Sequence, residues 1–313
     1  MENVGQCSMS DFEAPGSKIR MDRNRHGKQN LAALPLVLPF ALVYLLLFIY
    51  PSLQMFAISF TDGSLTKTGQ WVGLENYARL FKDKYFSAAV FNTLYFVILT
   101  VVPGTLIGLG LALTVNRIRG YWQAIVLSVF LMPYFLPVST VSSLAWLLTQ
   151  TADGPLGGLV HAPNGTVIPI WRSAAWFMPA VAVLTIWWTV GFSVLLFLAG
   201  LRAIPRDLYE AAKLDGAGRL AEFRHLTWPL IWPVTVLVLT IQLILQIRVF
   251  DQVYLMAADA PSRSTAVLVY YIYAVAFQRN DAGYASAVAV SLFAVGACFV
   301  VFQLRLRRLR SPE

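Results

Sequence analysis

Six long apolar runs, spread along the whole 313-residue chain instead of gathered in one segment, decide what it can fold into. An α-helix rises about 1.5 Å per residue, so about 20 apolar residues cross a hydrocarbon layer of about 30 Å, where an unpaired backbone finds no water to bond. The runs cover 34–59, 88–116, 121–149, 174–203, 227–257 and 283–304, and predict an all-α integral membrane protein with six transmembrane helices. Composition agrees, since 58% of residues are hydrophobic and 13% charged, against about 25% charged in a soluble domain. A further apolar stretch, 262–278, is too short to span and is expected to form an interfacial or partly inserted helix.

Charge orients the spans. With six crossings, one side receives Lys18, Arg20, Arg23, Arg25 and Lys28, then Arg117, Arg119, Arg202, Arg206, Lys213, Arg219 and Arg224, and finally Arg305, Arg307, Arg308 and Arg310. The other receives Lys67, Arg79, Lys82, Lys84, Arg172, Arg263 and Arg279. The positive-inside rule makes the first side cytoplasmic and puts both termini inside; Lys82 and Lys84 run against the trend in a long external segment, where the rule weakens. Residues 1–30 lack the short apolar core and small-residue cleavage site of a signal peptide, and are expected to form a cytoplasmic tail ahead of a membrane domain at 31–313. The net charge of +8 and pI near 9.6 do not imply nucleic acid, because the basic residues fall between apolar runs and at the ends, as loop charges do. Cys7 and Cys298 offer neither a disulfide framework nor a CxxC site.

Within the windows, Pro39, Pro51, Pro103, Pro133 and Pro137 remove helix hydrogen bonds and predict kinks. Gly104 and Gly108 form a small-xxx-small pair suited to close helix contact, either inside the bundle or at a subunit interface.

The most polar ordered-looking segment, YEAAKLDGAGRLAEFRHLTWPLIWP at 209–233, lies between two very apolar runs. Pro205 fits a first helical position, Asp207 and Glu210 suit the positive end of the helix dipole, and Gly216 fits a C-terminal stop. A second short helix is expected from about Gly218 to Thr227, with Leu220 and Phe223 one turn apart, before Pro229 opens the fifth span. The pattern is a helix-turn-helix elbow on the inner surface, with Leu208, Ala211 and Ala212 free to seat against something; an amphipathic loop resting on headgroups has the same pattern.

Glu210-Ala211-Ala212, followed at these spacings by Gly216, Leu226, Pro229 and Pro233, resembles the EAA loop of permease subunits in binding-protein-dependent ABC importers. The stretches LAGLRAIPRDLYEAAKLDGAG, WVGLENYARLF at 71–81 and FDQVYLMAADAPSRSTAVLVYYIYAVAFQRNDAGYASAVAV resemble the carbohydrate branch of that family, so the likeness runs from about Leu34 to the end of the sixth span. The chain departs from the family at Trp228, usually aliphatic, at Ala258-Asp259-Ala260, usually Gly-rich, and at Gly191, often proline. The resemblance implies a multi-pass subunit of the bacterial cytoplasmic membrane that forms half of a translocation pathway for an oligosaccharide or a glycerol-phosphate-like solute. It implies that the elbow, about 204–226, docks into a cytoplasmic ATPase subunit through Glu210, Ala211, Ala212, Asp215, Gly216, Phe223 and Pro229. The implied partners are a second permease subunit in a heterodimer, two cytoplasmic ATPase subunits, an extracytoplasmic solute-binding protein and membrane lipid. This chain would bind no cofactor itself, ATP and Mg residing on the ATPase subunits.

Polar side chains are costly in lipid and usually face a pathway or the bundle interior. Gln242 and Gln246 lie one turn apart, Arg248 and Asp251 stand at the i, i+3 spacing of an ion pair, and family resemblance brings substrate contacts to the stretch containing Gln246 and Gln252. These five residues either line the translocation path or, for Arg248 and Asp251, form a structural pair at the outer interface. Trp187, Trp188 and Tyr254 suit stacking on sugar rings or anchoring at the interface.

A membrane-embedded enzyme is the main alternative, but His26, His161 and His225 are scattered, and the chain has no HExxH, no GxSxG elbow, and no clustered carboxylates in the spans. No GxxxxGK[ST] loop is present, so ATP hydrolysis is expected elsewhere. Asn164-Gly165-Thr166 matches a glycosylation sequon, which has meaning only in a secretory pathway. A secondary transporter would normally carry more spans and inverted repeats.

Overall fold

The computed structural model describes residues 37–149, 155, 170–257, 262 and 264–310. The tail 1–30, Cys7, His26, His161, the Asn164 sequon, Ala258–Ala260 and Arg263 lie outside the described residues. The described chain is helical, with one isolated antiparallel bridge between Thr61 and Trp71.

Helix α1 is Val37–Ile58, 22 residues long. The amphipathic α2, Glu75–Lys82, buries Asn76 and Leu80, and the Asn76 amide donates to the carbonyls of Ser59 at 3.0 Å and Thr61 at 2.8 Å. Helix α3, Lys84–Val115, continues unbroken through Pro103, and α6, Phe177–Arg202, is also unbroken. Helix α11 closes the order at Ala282–Arg310. These four long helices match the first, second, fourth and sixth expected windows.

The third window differs. It splits into α4, Tyr121–Leu131, a 3₁₀ turn Met132–Phe135 and α5, Val138–Leu148, with a bend of 92° between the halves. Hydropathy counts apolar residues and not hydrogen bonds; Pro133 and Pro137 delete backbone donors on successive turns, and Leu136 between them is extended at ψ 140°.

The fifth window also differs. Helix α8 runs from Arg219 to Gln246 and stops there, and residues 251–256 form a separate short helix α9, Asp251–Met256. The expected short helix before Pro229 is therefore the first part of the span itself. The sequence Phe223–Thr227 takes one π turn, so that Trp228 N–H bonds Phe223 O immediately before Pro229. A proline ring clashes with the carbonyl four residues back, and the wider turn makes room for it. Pro51 of α1 repeats the device, with a π turn at Leu45–Ile49 and Tyr50 N–H on Leu45 O.

The apolar stretch 262–278 yields helix α10, Leu268–Gln278. It is packed inside the protein against α3 and α11, with Leu268, Tyr271 and Val275 buried.

The most extensive helix contact is between α3 and α6. A Cβ on Gly108 would stand 2.8 Å from Ser193 Cβ, so the small pair serves close internal packing. Leu109, Ala112 and Val115 of α3 pack here with Val194, Phe197 and Leu201 of α6 and Ile231 of α8. At the opposite end of the bundle, Asp83 caps α3, accepting from Tyr85 N at 2.8 Å, Tyr284 Oη at 2.7 Å and Tyr271 Oη. Burial pushes the Asp83 carboxyl up, but the two phenols and the amides of Tyr85 and Phe86 outweigh it and hold it below the ordinary carboxylate value. Beside it, Arg79 pairs with Asp281 at 2.7 Å and lies 4.1 Å from the Tyr284 ring centroid. This knot ties α2, α3, α10 and α11 together.

Candidate functional site

The polar segment folds as the expected elbow. Pro205 is extended at ψ 135° and is the N-cap of α7, Arg206–Leu214, one position outside the helix instead of the first within it. Asp207 occupies the first turn, where the dipole favours it. At the far end Gly216 takes φ +77°, its N–H bonds Lys213 O at 3.0 Å, and Ala217 N–H bonds Ala212 O at 2.9 Å. These are the paired 5→2 and 6→1 bonds of a Schellman stop, which a left-handed residue permits. Gly218 then returns to extended backbone and α8 begins.

One side of the elbow is fastened to the bundle. Tyr209, Phe223 and Trp228 pack on the cluster of Val115, Leu201, Ile204 and Ile231, and Tyr209 Oη meets Thr227 Oγ1 at 3.2 Å. The other side is open: Leu214 is 89% exposed, Leu220 79% and Leu208 42%, with Glu210, Ala211, Asp215 and Gly216 also exposed and Ala212 half-buried. Leu220 and Phe223, one turn apart in sequence, thus face different surroundings, since Phe223 turns into the core at the start of the π turn. The Glu210 and Asp215 carboxylates accept no hydrogen bond from any described side chain or backbone group and remain free acceptors. Pro229 is exposed.

Two contacts at the elbow root have no pattern in the sequence to mark them. Arg202, in the last turn of α6, donates to Gln123 Oε1 on α4, and Gln123 Nε2 donates to Val115 O, the end of α3, at 2.9 Å. The base of the elbow is thereby joined to the broken helix α4–α5.

The five residues expected along a pathway separate into two groups. Gln242 and Gln246 are buried in the bundle, where Gln242 Nε2 donates to Ser193 Oγ at 2.8 Å and Gln246 Nε2 to Gln242 Oε1 at 3.2 Å. They form a polar seam between α8 and α6. Arg248 and Asp251 do not pair: the i, i+3 argument assumed a helix, but residues 247–250 are the break between α8 and α9, and Phe250 stands at φ −141°. Arg248 is exposed, Asp251 half-buried, and Gln252 is 7% exposed with no hydrogen bond among the described residues.

Of the aromatic candidates, Trp188 takes a structural place, while Tyr254 stacks on Phe250 and is 42% exposed. Trp188 Nε1 donates to Leu136 O at 3.1 Å, meeting a carbonyl freed at the α4–α5 break, and Trp188 stacks on Tyr134 at 5.9 Å. Trp187 is 51% exposed. Gly191 lets α6 approach that same break, because a Cβ there would lie 2.0 Å from Phe130 O. Beyond the break, Ser139, Thr140, Ser143, Leu144 and Leu147 of α5 with Leu255 of α9 line a groove of about 520 Å³. The hydroxyl spacing after Pro137 was its only sequence sign.

Residues 104–311 match the family described as the binding-protein-dependent transport system inner membrane component. The sulfoquinovosyl glycerol transport system permease protein SmoG of Agrobacterium fabrum is 34% identical over 90% of this chain and 91% of its own. The trehalose/maltose transport system permease protein MalF of Thermococcus litoralis is 31% identical over 88% of this chain and 93% of its own. The sn-glycerol-3-phosphate transport system permease protein UgpA of Yersinia pestis is 29% identical over 88% of this chain and 94% of its own. Among solved structures, a chain of a bacterial alginate ABC transporter in complex with an alginate pentasaccharide-bound periplasmic protein superposes with a TM-score of 0.81 over 92% of this chain and 98% of its own, at 23% identity.

Proposed function

Because the chain belongs to the family of binding-protein-dependent transport system inner membrane components, we propose that it is the permease subunit of an ATP-driven importer of a carbohydrate or carbohydrate-like solute, not an enzyme. Support for the solute class comes from relatives named for sulfoquinovosyl glycerol, trehalose and maltose, and glycerol phosphate.

In this reading the elbow face of Leu208, Glu210, Ala211, Leu214, Asp215, Gly216 and Leu220 seats on a cytoplasmic ATPase subunit that holds ATP and Mg. A loaded solute-binding protein docks at the other membrane face, and a second permease chain completes the pathway. Both termini lie inside. The carrying observation is that a Schellman-closed elbow is bonded to the bundle on one side while three leucines stay open on the other. Burying a leucine contributes about 1.5–3 kcal/mol, so such a face is stabilised by a partner. Closure of the ATPase pair moves the elbow; Tyr209–Thr227 and Arg202–Gln123 carry that movement to α8 and to the α4–α5 break. Arg248 and Asp251 belong to the wall along which the solute passes, with Gln252 and the buried Gln242–Gln246 seam behind it.

The test is reconstitution. Solute-dependent ATP turnover is expected only when this chain is combined with nucleotide-binding subunits, the second permease and the binding protein. Uptake driven by an ion gradient through this chain alone contradicts the assignment.

A further inference from the structure

Lys84 opens α3 as an exposed cation whose ammonium makes no ion pair or hydrogen bond among the described residues. It also runs against the charge bias of the spans. Its level in the membrane follows from its neighbour Asp83, which accepts from Tyr284 Oη at 2.7 Å near the start of α11. The apolar window of α11, Ala282–Val301, is 20 residues, about 30 Å long, which is the thickness of a hydrocarbon layer. Lys84 therefore stands at the elbow-distal headgroup layer, where lipid phosphates lie.

One turn deeper is an open groove. Ser87, whose Oγ donates to Lys84 O at 3.1 Å, lines with Ala88, Phe91, Asn92, Ser262 and Ser264 a cavity of about 560 Å³. Its walls are fastened together: Asn92 Nδ2 donates to Ala266 O at 2.9 Å and Leu268 N–H to Thr93 Oγ1 at 2.9 Å, holding the segment before α10 against α3. Below the groove the same face of α3 stays open. Phe91, Tyr95, Ile98, Val102 and Leu106 follow Lys84 at helical spacing and are all exposed, whereas Ala89, Phe96, Val97 and Val101 face the bundle. Phe91, 68% exposed, lies parallel to Tyr95 with the planes 3° apart and the centroids at 6.3 Å. From Phe91 to Leu106 the stripe descends about 22 Å, more than the roughly 15 Å occupied by the chains of one leaflet.

A cation at headgroup level, a hydroxyl-lined groove beneath it and an apolar stripe through one leaflet follow the order of phosphate, glycerol esters and acyl chain in a phospholipid. This register with the membrane, and not the apolar surface alone, selects a lipid over a protein as the occupant. We propose that the elbow-distal end of α3 holds an anionic phospholipid. Lys84 binds its phosphate, Ser87, Ser262 and Ser264 donate to its ester oxygens, and an acyl chain lies along Phe91, Tyr95, Ile98 and Val102. The site needs only the spans and stands whatever solute is carried.

The membrane complex containing this chain is purified in detergent and titrated with phosphatidylglycerol, with phosphatidylcholine of the same chains and with inorganic phosphate. The tightest-bound species is followed by native mass spectrometry. Phosphatidylglycerol is expected to bind roughly fivefold more tightly than phosphatidylcholine, the effect of one lysine near an anionic surface, and Lys84→Gln to erase that preference. Ala88→Trp fills the groove without changing charge and is expected to weaken both lipids. Inorganic phosphate should displace neither. A preference that survives Lys84→Gln overturns the proposal even where Ala88→Trp lowers the yield, since the exposed lysine is dispensable to folding. Displacement of the lipid by inorganic phosphate makes Lys84 a simple anion site and overturns it. So does a Phe91→Cys thiol that a short reagent joins to another subunit in high yield, because the groove then has a protein occupant.

Discussion

Tyr209 and Thr227 meet hydroxyl to hydroxyl at 3.2 Å, clasping the first helix of the elbow to the root of the span that follows it. In the proposed importer a displaced elbow would pull on α8 through this clasp, so its loss is expected to act on transmission more than on folding. Removing one neutral hydrogen bond costs about 0.5–1.5 kcal/mol. Tyr209→Phe keeps the ring in its apolar cluster and is expected to lower the thermal midpoint only slightly, while reducing solute moved per ATP hydrolysed in proteoliposomes. An unchanged ratio contradicts the mechanical role.

Gly216 isolates backbone from packing. It sits at φ +77° with open space where a Cβ would be, so a side chain there meets strain and no collision. The left-handed conformation costs an ordinary L-residue about 1–2 kcal/mol, and asparagine less. Gly216→Val is therefore expected to abolish solute-stimulated ATP turnover with the spans still inserted, and Gly216→Asn to retain most of it.

Gly191 is the opposite case. A Cβ would stand 2.0 Å from Phe130 O, forcing α6 off the broken helix, whereas one on Gly110 meets nothing within 4 Å. Gly191→Ala should sharply lower the yield and thermal midpoint of the assembled complex. Gly110→Ala, measured alongside, should leave both unchanged or slightly raised.

The knot at Asp83 sets a pH dependence. Its folded value lies below the ordinary 3.8, so the carboxylate contributes stability that is complete above that value and is lost as pH falls through the lower, folded one. Tyr271, raised by burial and then by its bond to Asp83 from 10.0 to about 12, contributes stability that is complete below 10.0 and is lost as pH rises through about 12. Asp83→Asn is expected to lower the thermal midpoint at neutral pH, with the gap to the parent narrowing on acidification below pH about 4. A gap independent of pH contradicts the assignment.

Five of the six crossings were legible in the sequence because the needed apolar length was simply present, the fifth with its end at Gln246 instead of 257. The bend of the third and the early stop of the fifth were not, for one physical reason: hydropathy is blind to where backbone hydrogen bonds fail. Pro133 and Pro137, four residues apart, turn one window through 92°, while Pro229, preceded by a π turn at Phe223–Thr227, breaks nothing. The pairing expected of Arg248 with Asp251 was lost with the helix it assumed. The elbow was the most legible part of the candidate site, since Pro205 and Gly216 each have one local use and both met it, Pro205 one position early. The bonds joining it to the bundle, Tyr209 with Thr227 and Arg202 with Gln123, connect residues 18 and 79 positions apart, and no local spacing announces them.

The most direct test of the central claim is a cysteine cross-link from the elbow. In the complete importer, with Cys7 and Cys298 replaced by serine, Leu214→Cys presents a thiol at a position 89% exposed in the isolated chain. The account predicts that a short thiol-to-amine reagent joins Leu214→Cys to a nucleotide-binding subunit in high yield. Gly110→Cys, in the membrane, should give no such product. A nucleotide-binding subunit left unlinked to Leu214→Cys in every nucleotide state, with the complex intact, contradicts it.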